Sequence, residues 1–402
     1  NGAPAVVERA LRLVARGALD DAGVDALAAR VGMGARHLRR LFVRHLGAGP
    51  LAVARTERVH FARRLLDQTD LPVTRVALAA GFGSLRQFNR AFHRTFRRPP
   101  TLVRRRPGVA NDGRGAFSLR LAYRPPLDWA SLLAFLGARA IPGVEHADGT
   151  TYRRTIAVGE QAGTLAVCAE RETLQLDVTL PGSSALFHVV TRVRRMLDLD
   201  ADPARIAGEL GSDPLLARSV ALRPGLRIPG AWDPFECAVR AVVGQQVSVR
   251  TATTLVGRIA DAFGRRVASD HPALTHVFPT PAVLADAPLE RIGILGARAR
   301  AIRALAAAVA SGTLVLDGTA SADETAARLA ALPGIGEWTT QYVLLRALGE
   351  PDAFPAGDLA LRRAAGNGAG ALSARALAAR AESWRPWRGY AAVHLWTKGE
   401  RP

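Results

Sequence analysis

The sequence is poor in the residues that mark secreted or metal-built proteins. It holds two cysteines in 402 residues, Cys168 and Cys237. That is too few for a disulfide framework, a four-thiolate zinc site or a cysteine-ligated iron–sulfur cluster. An intracellular, reducing setting is the economical expectation. No apolar run approaches the ~20 residues needed to span a bilayer, and no charged-then-apolar leader opens the chain, which begins at Asn1. No membrane partner is expected. Lysine is almost missing, Lys398 being the single one among 54 basic residues. Acidic residues are also short, at 35, which leaves a formal charge of +19 and an isoelectric point near 11.4. A biased composition explains arginine in place of lysine but not the sign of the charge. Arginine's planar fork suits phosphates and guanine edges, so nucleic acid is the first partner to consider.

At roughly 100–200 residues per domain, length predicts two to four domains. Residues 1–106 read as a basic helical block, with apolar residues at helical spacing in Val6–Leu19, Val24–Val31, His37–His45, Ala52–Leu66, Val73–Ala80 and Leu85–Phe96. Two stretches within it share one form. Leu27-Ala-Ala-Arg-Val-Gly-Met-Gly leads into Ala35–Phe42, and Val76-Ala-Leu-Ala-Ala-Gly-Phe-Gly leads into Ser84–Phe92. Each is a short helix, a glycine turn and a second helix with a polar outer face, which predicts two helix-turn-helix units. The second helix of such a unit presents side chains near its N-terminus to base edges in the major groove. Here those are Arg36, His37, Arg39 and Arg40, then Ser84, Arg86, Gln87, Asn89 and Arg90.

Ala77–Arg94 and the following Arg98-Pro-Pro-Thr-Leu-Val-Arg resemble the signature of AraC-type DNA-binding domains. The resemblance implies that both recognition helices sit in successive major grooves, and that the module contacts RNA polymerase. The family's Gly-x-x-Pro after the second unit reads Arg97-Arg98-Pro99-Pro100 here, which leaves the exit of the chain unsettled.

A linker is expected over 107–115, where arginine, proline and glycine crowd together. Beyond it, 116–184 reads as an α+β module. Phe117–Tyr123, Thr151–Val158, Thr164–Glu170 and Leu174–Leu180 alternate like strands, and Asp128 is placed to cap a helix over Trp129–Ala140. Without clustered carboxylates or histidines, the module is given a structural role.

Residues 185–402 are helical in pattern and hold the chemistry, so the whole chain is expected to be mainly α with one small antiparallel sheet. An alanine-rich helix, Ala322–Ala331, stops at Pro-Gly-Ile-Gly, and a second helix begins at once. Gly334 and Gly336 around Ile335 let the backbone approach closely and turn amides outward at a helix start, an arrangement that grips phosphate without reading sequence. Downstream, Asp358 follows a Pro-x-Gly turn at an expected helix start. On local sequence alone it reads as an N-cap.

Hairpin, spacing and aspartate together resemble the helix-hairpin-helix DNA glycosylase superfamily, in which this aspartate is catalytic. In that superfamily the enzymes that also cut the backbone carry a Schiff-base lysine two residues after the second hairpin glycine, where this chain has Trp338. Members of the endonuclease III and adenine-mismatch kinds carry a four-cysteine cluster near the C-terminus, and here no cysteine follows Cys237. A monofunctional, metal-free base-removing enzyme is the expectation. Asp233–Ser248 and Trp384-Arg-Pro-Trp-Arg-Gly-Tyr-Ala-Ala-Val-His-Leu-Trp396 extend the likeness to the AlkA-like 3-methyladenine DNA glycosylases over about residues 116–402.

That resemblance implies that Asp358 is the catalytic carboxylate, and that Trp338, Tyr342 and Trp396 line the pocket for a flipped base. Alkylation at a ring nitrogen makes a purine cationic, and aromatic faces attract cations. Trp384 and Trp387 read as core. The wedge that fills the gap left by the flipped nucleotide is leucine in the best-known member but falls at Gln246 or Gln245 here. No cofactor is expected, apart from a monovalent or divalent cation where the hairpin meets phosphate. Zinc would belong only to an upstream methyl-acceptor domain, as in bacterial adaptive-response proteins, and the domain order motivates that expectation for the full protein. Partners are then double-stranded DNA, alkylated DNA included, in the bacterial cytoplasm at the nucleoid. The competing reading is a transcription regulator whose glycosylase-like domain only binds DNA or damaged bases.

Overall fold

The computed structural model describes residues 3–15, 18–19, 23–69, 71–103, 115–318, 320–368 and 370–399. The expected linker, apart from Gly115, lies outside them. Helices α1 (Ala3–Ala15), α2 (Val24–Arg30) and α3 (Ala35–Leu46) build the first helix-turn-helix unit, and α4 (Pro50–Gln68) joins it to the second, α5 (Val73–Ala79) and α6 (Leu85–Phe96), followed by the short α7 (Pro100–Val103). The glycine turns do what the sequence predicts, since Gly32 and Gly81 take positive φ of 77° and 76° between paired helices. Each recognition helix buries one stripe, Leu38, Leu41 and Phe42 in α3, and Phe88, Ala91 and Phe92 in α6. The departure at Arg97 is resolved locally: it closes α6 in the left-handed conformation, φ 56°, and α7 starts at Pro100.

The α+β module consists of β1 (Ala116–Ala122), α8 (Trp129–Gly137), β2 (Glu145–Ala147), β3 (Thr151–Val158), β4 (Gln161–Glu170) and β5 (Thr173–Thr179). They form an antiparallel sheet of order β1-β5-β4-β3-β2, in which β2 is a strand the sequence does not announce. Asp128 caps α8 as expected, accepting from Ser131 N at 2.9 Å. Helix α9 (Leu186–Met196), grouped by sequence with the helical region, packs instead in one apolar cluster with the sheet. That cluster runs on without a break into the second helix-turn-helix unit. Phe61 of α4 meets Phe187 of α9 edge to face at 5.3 Å, and Gln68 both accepts from the Arg120 backbone N–H at 2.9 Å and donates to its carbonyl at 3.4 Å.

The remaining helices are α10 (Pro203–Leu210), α11 (Ala217–Leu222), α12 (Pro234–Val243), α13 (Val249–Phe263), α14 (Pro281–Ala285), α15 (Gly296–Ala310), α16 (Ala322–Ala330), α17 (Glu337–Arg346), α18 (Leu359–Ala365), α19 (Ala374–Ala381) and α20 (Arg388–Gly399). They surround a second core that holds α12, α15, α17 and α20. Arg154 of β3, 2% exposed, fastens the sheet to α12 by donating to both carboxylate oxygens of Glu236, at 3.2 and 2.7 Å. Desolvation offsets much of the attraction in a buried ion pair, but removing Arg154 would leave the Glu236 charge buried and unpaired.

Candidate functional site

Helices α12, α17, α18 and α20 bring the expected residues to one cleft of about 890 Å³, lined by Trp338, Tyr342, Asp358 and Trp396, with Gln245 and Gln246 at its edge. Asp358 is the N-cap that local sequence predicts, and it also faces the cleft. Its Oδ1 accepts from the backbone N–H groups of Ala360 and Leu361 at 2.9 and 3.0 Å, and from the Trp396 indole at 3.3 Å. Its Oδ2 takes one bond, from the Trp338 indole at 3.0 Å. The half-buried carboxylate lines the cleft with three bonds on Oδ1 and one on Oδ2, so Oδ2 keeps the greater lone-pair capacity. Indole N–H groups donating to a carboxylate also push electron density into their rings, which favours a cation against those faces.

Trp338 and Tyr342 stack at 5.2 Å with planes 26° apart, and Trp396 stands 6.2 Å from Tyr342. The wall is continued by Phe135, 6.0 Å from Trp396, a residue of α8. The Arg139 guanidinium lies 3.6 Å over the Phe135 ring, and Arg346 lies 4.7 Å from the same ring while donating to the Tyr342 hydroxyl at 2.6 Å. The α+β module is thus more than structural. It supplies Phe135 and Arg139 to the cleft, and nothing in the local sequence of α8 marks them beyond their four-residue spacing. Trp384 is 2% exposed and donates to Asp213 at 2.8 Å, and Trp387 packs on Tyr390, both outside the cleft lining.

In the hairpin, Gly334 takes φ 79°, and a Cβ there would stand 2.9 Å from the Ala301 Cβ. Ile335 is buried as the hairpin's anchor, while Gly336 is exposed with open space where a Cβ would be. The two glutamines before α13 divide sharply. Gln245 Nε2 donates to the Gly334 carbonyl and to the Thr339 hydroxyl, each at 2.8 Å. Gln246 is exposed and sits in the left-handed region at φ 56°, a conformation that costs a non-glycine residue free energy.

All nine side chains expected to read DNA in the helix-turn-helix units are exposed. Ser84 is partly committed as the N-cap of α6, accepting from Gln87 N at 3.2 Å, and Arg40 lies 3.0 Å from the His37 ring nitrogen. Among the described residues, no group of three or more His, Cys, Asp or Glu side chains is placed to hold a metal ion. None of the described helices is long and apolar enough to cross a membrane.

Residues 27–106 match a helix-turn-helix domain, residues 118–233 the AlkA N-terminal domain, and residues 239–388 the HhH-GPD superfamily of base excision DNA repair proteins. A probable bifunctional transcriptional activator/DNA repair enzyme AlkA of Mycobacterium tuberculosis is 43% identical over 401 residues, covering 99% of this chain and 81% of its own. DNA-3-methyladenine glycosylase 2 of Escherichia coli is 35% identical over 288 residues, 70% of this chain and 98% of its own. The solved 3-methyladenine DNA glycosylase from Archaeoglobus fulgidus shares the fold, with a TM-score of 0.59 at 22% identity over 70% of this chain and 98% of its own. Fold and site together are those of a helix-hairpin-helix base-excision protein joined to a helix-turn-helix module. The chain belongs to the AlkA family of DNA-3-methyladenine glycosylases, in the form that carries an AraC-type DNA-binding module.

Proposed function

We propose that this chain excises alkylated purines of the 3-methyladenine and 7-methylguanine type from double-stranded DNA by base flipping, without cutting the backbone. The observation that carries the proposal is Asp358, held in the lining of the cleft by two indole donors and two backbone amides, with lone-pair capacity left on Oδ2. As the N-glycosidic bond lengthens, positive charge grows on the sugar, and a fixed carboxylate stabilises it while orienting or deprotonating the attacking water. Trp338, Tyr342 and Trp396 receive the base, and their faces favour the cationic alkylated purine, which departs as a neutral base when its positive charge passes to the sugar. The hairpin amides at Gly334–Gly336 grip the lesion strand's phosphates. Gln246, exposed at the loop tip, takes the wedge role, because Gln245 is already tied to the hairpin.

The helix-turn-helix module binds a specific duplex sequence through its two exposed recognition faces, and we infer that it contacts RNA polymerase as part of an alkylation response. Val43, Leu46 and Leu51, exposed apolar residues at the end of α3 and the start of α4, support a protein contact there. The setting is the bacterial chromosome. The deciding experiment is release of free 3-methyladenine and 7-methylguanine from methylated duplex DNA, with strand nicks scored before and after alkali. Base release with nicks only after alkali is the expected result. No release by the folded protein across several alkylated and deaminated lesions would leave a regulator that only binds DNA.

A further inference from the structure

The wedge loop, residues 244–248 between α12 and α13, makes contacts that the excision chemistry does not require. Gln245 spans from this loop to the hairpin through two 2.8 Å bonds, one to the carbonyl of Gly334 and one to the hydroxyl of Thr339, which is 2% exposed. Its own backbone carbonyl accepts from Arg298 Nη2 of α15 at 2.8 Å. The hairpin rests on that same helix, Gly334 being so close to Ala301 that a Cβ would stand 2.9 Å away. Loop, hairpin and α15 therefore form a closed triangle, and the next residue along the loop is Gln246 in its left-handed, costly conformation. A strained residue holds its shape only where its surroundings over-determine it, and Gln245 is the side chain that pins the loop on the hairpin side.

We propose that Gln245 is a positioning residue that couples phosphate gripping by the hairpin to insertion of Gln246, so that a lesion-strand backbone seated on Gly334–Gly336 sets the wedge at the height of the base stack. This inference rests on the glycosylase reading. The coupling acts on extrusion of the base, not on the bond-breaking step at Asp358. Gln245 carries out the coupling as a donor: both its partners are oxygens, and the Gly334 carbonyl can only accept. Gln245→Glu would set a carboxylate against that carbonyl and is expected to be worse than Gln245→Ala, an order that simple loss of packing volume would reverse.

The test compares single-turnover release of 7-methylguanine from two oligonucleotides, one with the lesion paired to cytosine in duplex and one with it in an unpaired loop flanked by duplex. A 2-aminopurine next to the lesion reports unstacking on binding. Gln245→Ala is expected to slow release from the paired substrate about tenfold more than from the unpaired one, the order of one or two lost hydrogen bonds, and to slow the fluorescence rise with it. Thr339→Val, which removes one of the two acceptors, should shift both readouts in the same direction by a smaller factor and serves if the alanine variant does not fold. Equal losses on both substrates, or no loss in either variant, would overturn the coupling. Wild type inactive on both substrates would instead overturn the glycosylase reading and, with it, this inference.

Discussion

The Trp338 indole nitrogen and Asp358 Oδ2 lie 3.0 Å apart, joining a side chain at the start of α17 to the cap of α18. One bond thereby links a wall of the cleft to the carboxylate at its edge. Replacing Trp338 by Phe keeps an aromatic face and removes the donor. A charge-assisted bond of this type is worth about 1.5–3 kcal/mol, so Trp338→Phe should lower single-turnover excision by roughly tenfold or more. Trp396→Phe, whose donor stands farther from Asp358 at 3.3 Å, should lose less. An equal or opposite order in measured rates would contradict this division of roles.

Asp358→Asn retains an oxygen for the two backbone amides of α18 but removes the charge. Losing a fixed charge at the reacting centre costs about 10²–10³-fold in rate, while swapping one good N-cap for another changes stability by well under about 1 kcal/mol. The amide group that replaces Oδ2 cannot accept from the Trp338 indole, so the expected result is a folded protein with modestly lowered melting and wild-type DNA affinity that releases almost no base. A variant that no longer folds would show that the aspartate's first duty is the cap.

The helix-turn-helix residues should separate by type. Arg39→Ala or Arg90→Ala, if they meet phosphate, should weaken binding to every duplex alike and reduce the salt slope of the affinity by about one. Gln87→Ala, if it meets a base edge, should cost about 1–3 kcal/mol on the preferred sequence and little on others. Titrations at two salt concentrations, on selected and random duplexes, would distinguish these outcomes.

Burial pushes the His394 imidazole down to about 4, and the nearby Arg223 charge adds to the shift. Its ring nitrogen lies 2.9 Å from the buried Ser219 hydroxyl. The folded protein keeps this ring neutral, whereas the unfolded chain protonates it near pH 6.5. Stability is therefore lost as pH falls from about 6.5 to 4, by roughly 3 kcal/mol from this residue. Asp198 acts in the opposite sense, since burial raises it to about 6, and protonation of the folded state offsets part of the loss. Urea midpoints of wild type and His394→Asn should diverge at pH 7 and converge or cross by pH 4.5. A constant difference would mean that the ring titrates with the same pKa in the folded and the unfolded chain.

Phe61→Ala should cost about 3 kcal/mol or more, because the ring fills the joint between α4 and α9. Calorimetry of wild type is expected to melt the second helix-turn-helix unit together with the sheet. In the variant the two should separate. Two transitions already present in wild type would argue against a shared core.

Much of this was legible in the sequence because it is local. The two glycine turns, the caps at Asp128 and Asp358, and the core stripes of α3 and α6 are each set by residues within a few positions of one another. Trp338, Tyr342 and Trp396 became legible through their motifs, and they line one cleft with Asp358. What escaped is long-range. The different tasks of Gln245 and Gln246 depend on a bond between residues 89 apart in the chain. The arrival of Phe135 in the cleft depends on how α8 docks, and β2, at three residues, is too short for alternation to register. The joint between the second helix-turn-helix unit and the sheet follows from two apolar faces that each read, alone, as ordinary core.

That joint changes what the connecting chain is for. If the polypeptide were severed within residues 104–114, the halves would still adhere, because Phe61, Phe187 and the aliphatic residues around them belong to one interior. Expressed separately, each half would present a raw apolar scar to water, and self-association would follow. The fusion is a matter of shared interior more than of shared backbone, so neither partner can be trimmed away at the tether and leave the other finished.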